Sequence, residues 1–141
     1  MSSVAGVSGV SGVNEAGHDL AALLRAHRVM AIVRGNSAQA ASATARVLLE
    51  EGVALVEVTL TTPSALNIIA ELVAERPPGA LVGAGTVLTR GDVADVVAAG
   101  GQFAVTPCPA ESVEASVAAG LPVAAGAYTA GEAYGVWQAG A

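Results

Sequence analysis

One acidic residue lies where acidic residues are costly. Glu57 falls inside the run Leu55-Val56-Glu57-Val58-Thr59-Leu60, a stretch of apolar and strand-forming residues. Alternate side chains of an extended chain face opposite ways. Glu57, Thr59 and Thr61 therefore share one face, and Val56, Val58 and Leu60 share the other. The apolar face packs on helices, which aims Glu57 at the interior of the fold. A carboxylate held there loses hydration, so its pKa rises toward neutrality. That suits a group that both gives and takes a proton. The plainer alternative is a structural ion pair with Arg34 at a neighbouring strand end, since structural networks also perturb carboxylates.

Other polar residues follow similar apolar runs. Arg34 follows Met30-Ala31-Ile32-Val33, Thr86 follows Ala80-Leu81-Val82-Gly83-Ala84, and Thr106 closes Gln102-Phe103-Ala104-Val105. Tyr128 and Thr129 follow Leu121-Pro122-Val123-Ala124-Ala125. In Val82-Gly83-Ala84-Gly85-Thr86-Val87 the glycines let a ligand approach the backbone and Thr86 offers a hydroxyl; glycines required for packing fit equally. The third glycine of a dinucleotide fingerprint is replaced by Leu88, and no Gly-Lys-Ser/Thr follows as in a P-loop.

Thr106-Pro107-Cys108-Pro109 reads as a rigid turn. Cys108 has no His or Asp near it in sequence and reads as a passive thiol. No His, Asp and Glu cluster has ligand spacing, and a lone Cys builds no cysteine-based zinc cage, so neither metal nor cofactor is expected. His18 and His27 read as solvent-facing, Glu50-Glu51 as a solvated helix end, and Tyr134 with Trp137 as packing.

The elements that must position these residues repeat along the chain. Valines recur at 33, 58, 82, 105 and 123 in the five apolar runs, at steps of 25, 24, 23 and 18 residues. Each step holds a short strand, a helix of about three turns and two tight loops. Ser37 caps one helix that ends at Gly52. Thr62, with Pro63 at the first helical position, caps the next, which Pro77-Pro78-Gly79 stops. Thr89 with Asp92 and Thr129 with Glu132 read as capping boxes, the helices ending at Gly100 and Gly140. A further helix spans 110–119, and one over 18–27 precedes the first strand. A short helix followed by five β-α units implies parallel strands. An open doubly wound sheet and a (β/α)8 barrel compete. Units of about 24 residues suit the barrel, of which five make an incomplete one.

The 141 residues fit one domain. Residues 1–17, rich in Ser, Gly and Val, read as a flexible tail, and 18–141 as the barrel portion. Hydrophobic residues are 53% of the chain and charged ones 13%, which excludes a disordered protein. Net charge is −6, all six basic residues are Arg, and there is no Lys. An acidic chain without basic clusters argues against nucleic acid and anionic membrane as partners. No run of about 18 apolar residues suggests a membrane span, and a reducing cytoplasm is the expected compartment.

Ala31-Ile32-Val33-Arg34, Val56-Glu57-Val58-Thr59-Leu60-Thr61-Thr62, Val82-Gly83-Ala84-Gly85-Thr86-Val87 and Phe103-Ala104-Val105-Thr106-Pro107, in this order and spacing, resemble the KDPG/KHG aldolase family. The resemblance runs from about residue 18 to the end of the chain. It implies a (β/α)8 barrel, usually trimeric, that cleaves a 2-keto-3-deoxy-6-phospho sugar acid, or 4-hydroxy-2-oxoglutarate, to pyruvate and an aldehyde through a Schiff base, with no metal. It assigns proton transfer to Glu57 and a place in the substrate pocket to Arg34, Thr61, Gly85, Thr86 and Pro107. Some members carry Arg where Thr61 stands. The family's Schiff-base Lys belongs to a sixth strand, and no Lys stands in this chain. The expectation is an N-terminal aldolase portion that is inactive on its own. A non-catalytic half-barrel acting by assembly and a phosphosugar epimerase-type barrel are the alternatives.

Overall fold

The computed structural model describes residues 20–141. The expected tail and His18 lie outside the described residues. The elements run α1 (Leu20–His27), β1 (Ala31–Val33), α2 (Ala38–Glu50), β2 (Leu55–Thr59), α3 (Ala65–Glu75), β3 (Leu81–Gly85), α4 (Arg90–Ala98), β4 (Ala104–Thr106), α5 (Glu111–Ala118), β5 (Val123–Ala125) and α6 (Ala130–Gln138). The strands form one parallel sheet in the order β1-β2-β3-β4-β5. A doubly wound sheet reverses its strand order at a switch point. This one never does, and its order is that of a barrel wall.

Register fixes which residues face which way. Val33 pairs with Val58, Val58 with Ala84, Ala84 with Ala104 and Ala104 with Val123. The recurring valines are therefore only partly equivalent. Val82 sits two residues lower on the same face and pairs with Val56. Val105 is displaced by one residue, which turns a side chain to the opposite face; it packs with the inner cluster instead. The outer face carries Val33, Val56, Val58, Val82, Ala84 and Ala104 against α2, α3, α4 and α5. The inner face carries Leu55, Leu81 and Phe103, closed from below by Leu20, Leu23 and Leu24 of α1. Helix α1 thus keeps water from the floor beneath Glu57.

Local signals explain the helix ends. Ser37 accepts from the Ala40 amide at 3.3 Å, and both Thr89–Asp92 and Thr129–Glu132 form complete capping boxes. Thr62 does not cap α3. The N-cap is Ser64, at φ +57° and without a side-chain cap bond, because the Thr62 hydroxyl turns inward to Thr59 and Gly35. Tyr134 and Trp137 are not core packing either. They meet each other at 5.9 Å between ring centres on the exposed face of α6, which has no buried residue. His27, Glu50 and Glu51 are exposed, as expected.

Gly83 illustrates how tightly the inner face is filled. A Cβ there would lie 2.6 Å from the Phe103 ring and closer still to its carbonyl oxygen. Gly83→Ala should therefore cost about 2 kcal/mol in urea unfolding. Gly131→Ala, on α6 where nothing lies within 4 Å, should be neutral or slightly stabilising. Equal stability of the two variants would contradict this packing.

Candidate functional site

Strand β2 carries Glu57 inward, 3% exposed, above the Leu55, Leu81 and Phe103 layer. Its neighbours across β3 are glycines: Glu57 pairs with Gly83 and Thr59 with Gly85. A Cβ on Gly85 would collide with Glu57 Oε1, and would lie 2.9 Å from Glu57 Cδ and 3.2 Å from Thr59 Cγ2. Gly85 is therefore the space in which the carboxyl lies, more than a gap for ligand approach. Any side chain at 85 has to expel it.

The carboxyl is poorly solvated as well as confined. Glu57 Oε2 is buried with no hydrogen-bond partner among the described residues. Burial raises the pKa from the ordinary 4.5 to about 7, against an opposing pull from the Arg34 charge. Arg34 is not locked in a close ion pair with Glu57. Its guanidinium donates to Thr86 Oγ1 at 3.3 Å and acts on the carboxyl from a distance. Thr86 itself sits at φ +61°, an unfavourable conformation for a β-branched residue. Strain of this kind persists only where the surroundings enforce it.

The end of β2 turns into a group of hydroxyls. Thr59 Oγ1 lies 3.1 Å from Thr61 Oγ1 and 3.2 Å from Thr62 Oγ1, and the Gly35 amide donates to Thr62 Oγ1 at 3.3 Å. Thr59 and Thr62 are buried, while Thr61 is exposed. The strand alternation brought Thr59 and Thr61 to one face, but only the turn after β2 brings Thr62 and Gly35 to them. Pro107, at the end of β4, is exposed and abuts Gly126, where a Cβ would lie 2.7 Å from the Pro107 carbonyl carbon. Its turn is held by Thr106 Oγ1 donating to the Cys108 carbonyl at 2.8 Å and by the Gly126 amide donating to the Thr106 carbonyl at 2.8 Å. Gly126 carried no signal in the sequence. Among the described residues no three His, Cys, Asp or Glu side chains gather as a metal site, and no helix is long and apolar enough to cross a membrane.

Residues 20–140 match the family model described as KDPG and KHG aldolase. The chain belongs to the KDPG and KHG aldolase family. The 2-dehydro-3-deoxy-phosphogluconate aldolase of Dickeya dadantii is 36% identical over 111 residues, 78% of this chain and 52% of that one. A crystal structure of the 2-keto-3-deoxy-6-phosphogluconate aldolase of Zymomonas mobilis superposes with a TM-score of 0.75 at 30% identity, over 87% of this chain and 59% of that one. The KDPG aldolase of Legionella pneumophila, with pyruvate captured at low pH as a covalent carbinolamine, gives 0.74 at 31% identity, over 85% of this chain and 58% of that one. The chain spans about half the length of the curated relatives it matches. The five-stranded wall is thus part of an aldolase-family (β/α)8 barrel.

The raised pKa makes stability depend on pH. The unfolded carboxyl titrates near 4.5 and the folded one near 7, so between these values the folded chain binds more protons. This site's contribution to stability is complete below about 4.5 and is lost as pH rises through 7, by roughly 3 kcal/mol at most. Thermal unfolding of the parent chain should show that decline between pH 5 and 8. Glu57→Gln should flatten it; the same slope in both would refute the assignment.

Proposed function

We propose that this chain supplies the acid/base wall of a 2-oxo acid aldolase pocket. The reaction is cleavage of a 2-keto-3-deoxy-6-phospho sugar acid, or of 4-hydroxy-2-oxoglutarate, to pyruvate and an aldehyde. The observation that carries this reading is the Glu57 carboxyl, housed against Gly85 with one oxygen unpartnered among the described residues. A group with a pKa near 7 is present in both protonation states at neutral pH, so one residue can serve as base and then as acid.

The chemistry needs both roles. In the cleavage direction Glu57 takes the proton of the C4 hydroxyl as that carbon becomes the aldehyde. The C3–C4 bond breaks, and its electron pair moves into an iminium formed between C2 and a Lys amine. Glu57 then returns a proton to C3 of the pyruvate enamine, and water releases pyruvate. Arg34, Thr61 and Thr86 hold the carboxylate end of the keto acid, and Gly85 and Pro107 border the pocket. The two family substrates share this pyruvate-forming end. The 141 residues contain no Lys, so on its own this chain forms no such iminium.

Borohydride reduction in the presence of pyruvate tests this division of labour. The 141-residue chain should stay unlabelled. A chimera extended with the remaining portion of the Dickeya dadantii relative should be labelled and should turn over substrate. Glu57→Gln in the chimera should lower kcat by about 100-fold or more. Unchanged kcat in that variant, or a reduced pyruvate adduct on the short chain, would overturn the proposal.

A further inference from the structure

We propose that the buried hydroxyls of Thr62 and Thr59 form a one-way hydrogen-bond relay, anchored on the Gly35 amide, that fixes Thr61 as a hydrogen-bond donor toward the carboxylate of a bound 2-oxo acid. The inference rests on the 2-oxo acid reading of the site.

The direction follows from counting protons. The Gly35 amide can only donate, and it donates to Thr62 Oγ1 at 3.3 Å. Thr62 is 2% exposed, and among the described residues its other hydrogen-bond neighbour is Thr59 Oγ1 at 3.2 Å. If Thr59 donated to Thr62, the Thr62 proton would be buried without an acceptor, at a cost comparable to a lost hydrogen bond. Thr62 therefore donates to Thr59. Thr59 is fully buried, and among the described residues its remaining hydrogen-bond neighbour is Thr61 Oγ1 at 3.1 Å, so it donates there. Thr61 receives that bond and is exposed, which leaves its own proton free to point outward.

A free hydroxyl rotor can accept or donate, whereas a carboxylate only accepts. Setting the rotor beforehand removes the unproductive orientation before the ligand arrives. The anchor, Gly35, is the residue next to Arg34 in the chain, so one loop carries both the cation of the site and the start of the relay. Arg34 supplies the charge and Thr61 supplies a neutral donor whose proton is turned away from Thr59. Thr59 and Thr62 act through Thr61 and are positioning residues.

The test uses the 141-residue chain, with pyruvate binding followed by amide chemical shifts. Thr61→Val should weaken binding about 10-fold, the upper range of one hydrogen bond, and Thr59→Val about 3-fold or more. The double variant should be no weaker than Thr61→Val alone, since Thr59 acts only through Thr61. Thr59→Ser should restore the parent affinity. Independent, multiplying losses, or parent affinity in Thr59→Val, would overturn the relay. A second measurement needs no ligand. The Thr59 and Thr62 hydroxyl protons should exchange with water slowly enough to give resolved signals, and that of Thr61 should not. If the parent chain binds no pyruvate, the 2-oxo acid reading falls, and with it Thr61's role toward that ligand. Rapid exchange at Thr59 and Thr62 would overturn the relay itself, whatever pyruvate does.

Discussion

A carboxyl group on the inner face of a parallel sheet needs somewhere to lie, and at Glu57 that place is the missing side chain of Gly85. The rest of the site follows from this one accommodation. With the carboxyl folded over the glycine backbone, one oxygen is buried and has no hydrogen-bond partner among the described residues. Desolvation then favours the neutral acid, and the Arg34 charge offsets only part of that preference. Had Arg34 closed on Glu57 as an ion pair, the carboxylate would be held charged. Its engagement with Thr86 leaves the charge close enough to moderate the carboxyl and too far to fix it.

The fold serves this arrangement from both sides. Outer-face valines and alanines of the strands lock onto α2 to α5 and set the register. That register places glycines of β3 beside Glu57 and Thr59. From below, α1 and the Leu55, Leu81 and Phe103 layer form a dry floor. Phe103 in turn needs Gly83 to have no Cβ. The glycines of β3 thus do two jobs at adjacent inner-facing positions: Gly83 admits a ring, and Gly85 admits a carboxyl. The chain belongs to the KDPG and KHG aldolase family, and its strand order is that of a barrel wall.

Much of this was legible in the sequence, for physical reasons. Period-two alternation around Glu57 gave its direction, and the five apolar runs gave the strands. Ser37, Thr89 and Thr129 gave helix starts because their capping chemistry is local. Failures came where a residue had two possible partners. Thr62 followed by Pro63 carries the chemistry of a cap, yet its hydroxyl is taken by Gly35 and Thr59 across the turn. Val105 resembles the other strand valines, but a one-residue offset in register turns it inward. Tyr134 and Trp137 pair as three-apart helical residues should, but on an exposed face. The contact of Gly126 with Pro107 joins two loops and leaves no trace in local pattern.

The proposed chemistry depends on the protonation state of one carboxyl, and that state can be read directly. Carbon-13 labelling of glutamate side chains, with the Glu57 Cδ signal assigned by its loss in a Glu57 variant, gives its titration curve. A buried, poorly solvated Glu57 should give a midpoint near 7. A midpoint near the ordinary value of 4.5 would show a hydrated carboxylate and contradict it.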